Sequence, residues 1–143
     1  MKPLKIFEDF INEAKDVESA VAKIDALPKG AIFDDAKRID DIFDITKHSW
    51  SDVVNAFEKN EKDAKTKSVN VKDIQITQRN IQSNKVKEMI SRDGKLKTIN
   101  VVQFPDGLAI YDGHHRLTTA WALGETKIKV NLVKAKRMNY FNH

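Results

Sequence analysis

The sequence predicts an α+β fold, an N-terminal helical region followed by a β-α-β-β-α-β unit. Three observations carry this expectation. Apolar residues recur at helical spacing as far as Phe57. Residues 58–68 then carry mixed charge and no apolar side chain larger than Ala. From Val69 onward, short β-branched runs alternate with turn residues and two further helical stretches. The expected divisions are an acidic helical region (1–60), a linker (61–67), an α+β domain (68–135) and a basic tail (136–143).

In the first segment Ile6, Phe7, Phe10, Ile11 and Ala14 share one helix face, with Pro3 suited to the first turn and Glu8 and Asp9 placed well for the helix dipole. Val17, Ala20, Val21, Ile24 and Leu27 form a second stripe, which Pro28 and Gly30 stop. Asp34 or Asp35 is expected to cap a third helix reaching Lys47, with Ile39, Ile42 and Phe43 on its face. Ser49 or Ser51 starts a fourth, bearing Trp50, Val53, Val54 and Phe57. The aromatic residues Phe7, Phe10, Phe33, Phe43, Trp50 and Phe57 are read as core or interface, and His48 as a surface or capping residue.

Past the linker, Val69, Val71, Ile74 and Ile76 read as extended, with a turn at Lys72 and Asp73, followed by a polar loop at residues 78–80. Ser83 or Asn84 is expected to cap a helix carrying Val86, Met89 and Ile90 and ending at Gly94. Ile99 to Phe104 is an apolar strand, Pro105, Asp106 and Gly107 a tight turn, and residues 108–111 the returning strand. A helix over residues 115–123 and a half-buried strand over 127–133 complete the unit.

The chain holds 143 residues, long enough for one compact domain with some additional structure. It contains no cysteine, which excludes disulfides, thiolate metal sites and cysteine nucleophiles. No run approaches the ~18 consecutive apolar residues of a membrane span, so a cytoplasmic location and no membrane partner are expected. The net charge of +4 divides unevenly, −4 over residues 1–66 and +8 over residues 67–143. The basic half is the expected partner of phosphate or nucleic acid, and the acidic helical half could dock a protein.

The chemistry concentrates where the returning strand meets the following helix. Gly113 permits a positive φ and a close approach to the backbone. The amides that open the helix precede its first internal hydrogen bond and favour an anion. Arg116 adds a planar fork for phosphate oxygens. His114 and His115 could donate hydrogen bonds or move protons, and Asp112 could hold a divalent cation or orient an imidazole. A plainer reading stands beside this one. Gly113 could serve turn geometry alone, Asp112 could be an N-cap paired with Arg116 for ~0.3–0.5 kcal/mol, and one histidine could face inward as a packed, hydrogen-bonded side chain. Neither an HExxH motif nor a Gly-rich Walker loop is present.

Residues 68–135 resemble the fold shared by the ParB N-terminal (ParB-like nuclease) domain and sulfiredoxin. The resemblance is carried by Val71-Lys72-Asp73-Ile74, Gln78-Arg79, Val86-Lys87-Glu88-Met89-Ile90 with Asp93-Gly94, Ile99-Asn100-Val101-Val102, Tyr111-Asp112-Gly113-His114-His115-Arg116-Leu117 and Ala120-Trp121-Ala122-Leu123-Gly124. It implies that Gly113, His114, His115 and Arg116 bind nucleotide phosphates, with Arg79 in the position of an earlier Gln-Pro-Arg-like box. Sulfiredoxins place their reactive cysteine where this chain has His114, so sulfinic-acid reduction is not expected. The nucleotide-clamp members carry a second phosphate-binding motif and a DNA reader beyond this domain. The chain ends before either, so a chromosome-partition role is not expected. The histidine resembles instead a kinase branch of the fold in which a nearby carboxylate acts as base. The opening Lys5-Ile6-Phe7-Glu8-Asp9 is similar to the starts of some tailed-phage proteins, which would place the chain in a host cytoplasm or a virion.

Three functions follow as expectations. The first is a nucleotide-dependent phosphotransferase or nucleotide hydrolase using ATP or another nucleotide with Mg²⁺, in which Asp112 and His114 are catalytic, Asp112 holds the metal, and Arg79, Gly113, His114, His115 and Arg116 bind phosphate. The second is a DNA-binding or nuclease module using Lys85, Lys87, Lys95, Lys97, Lys127 and Lys129. The third is a non-enzymatic virion or interaction protein that keeps the fold as a scaffold.

Overall fold

The computed structural model describes residues 16–92 and 98–135. Expectations that fall on residues 1–15, 93–97 and 136–143, among them the first apolar stripe, Gly94, Lys95, Lys97 and the basic tail, lie outside the described residues.

The described chain runs through a helix α1 (residues 16–25), strand β1 (Ala36–Arg38), helix α2 (Trp50–Asn60), strands β2 (Lys65–Asn70), β3 (Ile74–Gln75) and β4 (Asn80–Gln82), helix α3 (Ser83–Ser91), strands β5 (Ile99–Phe104) and β6 (Gly107–Asp112), helix α4 (His114–Ala122) and strand β7 (Lys127–Lys134). Five strands form a mixed sheet in the order β2-β7-β5-β6-β3. β7 is parallel to β5 and β6 is parallel to β3, while β2–β7 and β5–β6 are antiparallel. The architecture is α+β, and the expected β-α-β-β-α-β succession is present.

Side-chain alternation along the strands divides the core into two layers. Ile99, Val101, Ile110, Val130 and Leu132 pack with Ala20 and Ile24 of α1, Val86 and Ile90 of α3, and Leu117 and Ala120 of α4. Val102, Phe104, Ala109 and Val133 face the other way, onto Val53, Ala56 and Phe57 of α2. Helices thus cover both faces, and β5 accordingly reads as a nearly continuous apolar run. The hairpin register slips once: Val101 pairs with Ile110 but Asn100 pairs with Asp112, so Tyr111 is an extra residue in β6. Bulges of this kind re-aim side chains, and this one lies immediately before the strand-to-helix turn.

Three expectations are corrected. The helix expected from Asp34 or Asp35 to Lys47 does not form. Ala36–Arg38 is extended and pairs antiparallel with β4, and only one turn survives, in which the Ile42 and Phe43 amides both donate to the Ile39 carbonyl. Arg38 forks onto Asp40 two residues away, a contact that helical geometry forbids. Asp35 does act as a cap, but of α3: its Oδ2 accepts the Asn84 amide at 3.0 Å and its carbonyl the Ser83 amide at 3.0 Å. Neither Ser83 nor Asn84 is the cap, since Gln82 holds that position without a side-chain bond. Finally, residues 61–67 are not a linker. Glu61–Asp63 is a 3₁₀ turn, and Lys65 already pairs with Leu132 at the edge of the sheet. The exposed lysines here suit an edge strand, where they block further pairing.

Other boundaries fall as expected. Ser49 caps α2, its hydroxyl accepting the Asp52 amide at 3.1 Å. The two-residue loop at Pro105 and Asp106 joins β5 to β6. Among the described residues no helix is long and apolar enough to cross a membrane.

Because Asp35 caps α3 from a distant segment, Asp35→Ala should cost about 0.5–2 kcal/mol in equilibrium urea unfolding. A wild-type midpoint in that variant would show that the cap contributes nothing.

Candidate functional site

The parallel neighbours β3 and β6 end on the same side of the sheet, a place where ligands are commonly held in open α/β sheets. β6 delivers Tyr111 and Asp112, the chain turns at Gly113, and α4 begins. Gly113 has φ +117° and ψ 29°, in the left-handed region that side chains disfavour. A Cβ there would also lie 2.5 Å from Ile99 Cγ2. Glycine is therefore required by the fold whether or not a ligand approaches. The first α-helical bond runs from the Leu117 amide to the Gly113 carbonyl at 2.9 Å, so the amides of residues 114–116 precede it.

The two imidazoles turn away from the role of cation. His114 is 6% exposed, and its Nε2 accepts the Thr77 amide at 3.0 Å and the Gln78 amide at 3.3 Å. Burial, and secondarily the adjacent His115, lowers its pKa from 6.5 to about 3. His115 Nε2 accepts the Gln82 amide at 3.0 Å. Burial, followed by Lys85, lowers its pKa, and Asp35 opposes the shift. With both Nε2 atoms accepting, the bonding pattern assigns the ring proton to Nδ1 in each case. Both rings are neutral at pH 7. Adjacent helical residues project about 100° apart, and the pair therefore reaches two separate points on residues 77–82, pinning that segment to the start of α4. The inward-facing reading of a histidine holds for His114, and His115 is committed in the same way.

Arg116 is half-buried, and its Nη1 donates to the Thr98 carbonyl at 3.2 Å. A guanidinium has five N–H donors, and this contact uses one. Asp112 is exposed at the end of β6. Arg79 does not join the cluster: its carbonyl accepts the Ile39 amide at 2.8 Å, its side chain is exposed, and it does not line the pocket.

An open pocket of about 210 Å³ lies over the turn. Asp112, Gly113, His114, His115 and Arg116 line one part of it, and Trp50, Gln78, Met89 and Tyr111 the rest. α2 and α3 cover opposite faces of the sheet, so Trp50 and Met89 meet only at its end. Trp50, one of the aromatic residues read as core or interface, is not in the core: it is 53% exposed. Its ring lies 5.9 Å from Tyr111 with an interplanar angle of 14°, and Phe57 lies 4.3 Å from Tyr111 at 6°. The Tyr111 hydroxyl donates to Glu58 Oε2 at 3.1 Å, and burial together with that carboxylate raises its pKa. One signal for Trp50 was available in the sequence: it follows the Ser49 cap directly, at the end of an amphipathic stripe, where a helix leaves the core.

Of the lysines expected to bind DNA, the four described ones, Lys85, Lys87, Lys127 and Lys129, do not share a surface. Lys87 is ion-paired with Asp25, and it lies with Lys85 on α3. Lys127 and Lys129 alternate with the buried Ile128 and Val130 and so project toward the opposite, α2-covered side. His48, read as a surface or capping residue, is half-buried, its ring stacked on Phe104 at 3.7 Å and its Nε2 meeting Asp106 at 2.7 Å.

No protein-family model matches the chain, and no curated protein matches it. Among solved structures it is similar to sulfiredoxin from Arabidopsis thaliana, at 24% identity and a TM-score of 0.44 over 52% of this chain and 91% of that one. It is also similar to the C-terminally truncated chromosome-partitioning protein ParB from Caulobacter crescentus, solved with CTP-γ-S, at 17% identity and a TM-score of 0.42 over 52% of this chain and 47% of that one. These are likenesses of fold, of the ParB/sulfiredoxin type, over about half of the chain.

Two outcomes are expected from the turn itself. The folded protein leaves His114 unprotonated until the pH nears 3, whereas the unfolded chain takes up that proton through pH 6.5. The stabilisation is complete above pH 6.5 and is lost as the pH falls toward 3, at ~1.4 kcal/mol per pH unit. Urea unfolding at pH 5.0 should therefore give a free energy about 2 kcal/mol below that at pH 7.5, and His114→Gln should flatten the dependence. Equal stability at the two pH values would contradict the buried, neutral ring. Gly113→Ala, combining disfavoured φ with overlap on Ile99, should cost about 2–5 kcal/mol in the same assay.

Proposed function

We propose that the protein binds the phosphate groups of a nucleotide at residues 112–116. The observation that carries this reading is that the N-terminus of α4 and Arg116 line one pocket at the carboxyl ends of β3 and β6. The helix-opening amides supply oriented donors, and Arg116 supplies a permanent charge. The sequence resemblance of this turn to the ParB/sulfiredoxin superfamily points to the same ligand class.

His114 and His115 act in this reading as positioning residues, because their acceptor nitrogens are occupied by backbone amides. They hold the 77–82 segment and thereby the start of α4. Arg79 contributes no contact to the pocket. Among the described residues Asp112 is the only carboxylate lining it. Mg²⁺ is commonly held by one or two carboxylates together with ligand phosphates and waters, and Asp112 with a bound nucleotide fits that pattern. Among the described residues no group of three or more His, Asp or Glu could hold a metal ion without such a ligand. Phosphoryl transfer or nucleotide hydrolysis here would use Asp112 in one of two ways, as the Mg²⁺ ligand or, without the metal on it, as the proton acceptor.

Binding of ATP, CTP and inorganic tripolyphosphate with and without Mg²⁺, followed by thermal shift and calorimetry, tests the reading. Arg116→Ala should weaken phosphate ligands by at least 10-fold, since a charge-assisted contact contributes about 1.5–3 kcal/mol. Arg116→Lys should keep the charge but lose part of the affinity. Undiminished affinity in Arg116→Ala would sink the proposal. Salt-sensitive DNA binding independent of nucleotide would favour the nucleic-acid function instead.

A further inference from the structure

The geometry points to Trp50 as the platform on which the base of the bound nucleotide stacks. This deepens the phosphate reading and rests on it: phosphates at the start of α4, the base on the indole of α2. Three observations lead there. Trp50 lines the same pocket as Gly113 and Arg116. It is 53% exposed, the most exposed aromatic side chain among the described residues, although its size and apolar character favour burial. It is also held in place, near-parallel to Tyr111, whose own ring is fixed by Phe57 and by its hydroxyl bond to Glu58.

A loose exposed indole would lose rotamer freedom on binding. Trp50 starts from a stacked position on a strand residue that leads directly into the phosphate turn, so little reordering remains to be done. Every base has a π-face, and base–aromatic stacking tolerates different bases. Trp50 therefore distinguishes nucleotides from base-free phosphates without selecting strongly among bases. Met89, from the opposite helical layer, adds an adaptable apolar wall to the same pocket.

The test uses the full chain carrying Trp121→Phe, which leaves Trp50 as the sole tryptophan of the two in the sequence. Four probes are titrated in the presence of Mg²⁺: ATP, CTP, adenosine and inorganic tripolyphosphate. Both nucleotides are expected to quench Trp50 fluorescence and to bind more tightly than tripolyphosphate. Trp50→Ala, followed by calorimetry, should weaken both nucleotides by about 5- to 150-fold while leaving tripolyphosphate affinity unchanged. Trp50→Phe should recover part of the loss. A thermal midpoint near that of the parent confirms that the variants fold, and the fluorescence change in the parent reports stacking independently of any variant.

Equal affinity for nucleotide and tripolyphosphate in the parent, or unchanged nucleotide affinity in Trp50→Ala, overturns the base platform while the phosphate site stands. Quenching by adenosine with no tripolyphosphate binding supports the platform and removes the phosphate site. Absence of binding by all four probes overturns both.

Discussion

Three backbone-to-imidazole hydrogen bonds from two adjacent histidines hold the irregular segment that follows β3. After β3 the chain leaves the five-stranded sheet, crosses residues 77–79, forms the short β4 and enters α3. The amides of Thr77, Gln78 and Gln82 have no strand partner in the main sheet, and even partly buried donors gain from an acceptor. His114 and His115 accept them. Tandem histidines are well suited to this task. A neutral imidazole offers a rigid acceptor at a fixed reach from the helix, and consecutive positions point in different directions. The result fixes α4 against the segment that also seats α3, so the two helices on that face share one anchor.

The same contacts determine the electrostatics of the pocket. Had the rings remained solvated, the turn would gain positive charge as the pH fell through the usual histidine range. Committed as acceptors, His114 buried and His115 half-buried, they add none near neutrality. The positive character of the pocket then comes from the Arg116 side chain and the amide ends of α4. Arg116 is steadied in turn by the Thr98 carbonyl at the entrance to β5. Acidity would act on the pocket indirectly, by weakening its anchor.

Local chemistry made much of the fold legible beforehand. The strand at Ile99–Phe104, the turn at Pro105 and Asp106 and the alternation of Lys127–Lys134 are written in short-range pattern and turn residues, and all formed. The failure at residues 34–47 has an equally specific cause. Ile39 and Phe43 are spaced for a helix and do form one turn, but the interactions that decide the segment join Ala36 to Gln82 and Asp35 to Asn84, the latter pair 49 residues apart. No local periodicity records such a pairing. The same limit applies at the pocket. Gly113 and Arg116 could be read from their place between strand and helix, whereas the direction of each imidazole and the approach of Trp50 depend on elements remote in the chain. Arg79 was placed by analogy of position and lies elsewhere.

The extra residue at Tyr111 gives the hairpin a property that composition alone would not reveal. Because β6 is one residue longer than its register with β5 requires, the bulge sets the phase in which the chain leaves the sheet. Shortening β6 by one residue would offer the slot of Gly113 to His114, placing a side chain where Ile99 leaves no room and where φ is +117°. Lengthening it would put Asp112 there instead. Length between the Pro105–Asp106 loop and α4 is therefore under tighter constraint than identity at most positions along it, and the hairpin serves as the spacer that keeps the aromatic stack and the opening amides of α4 on a common side.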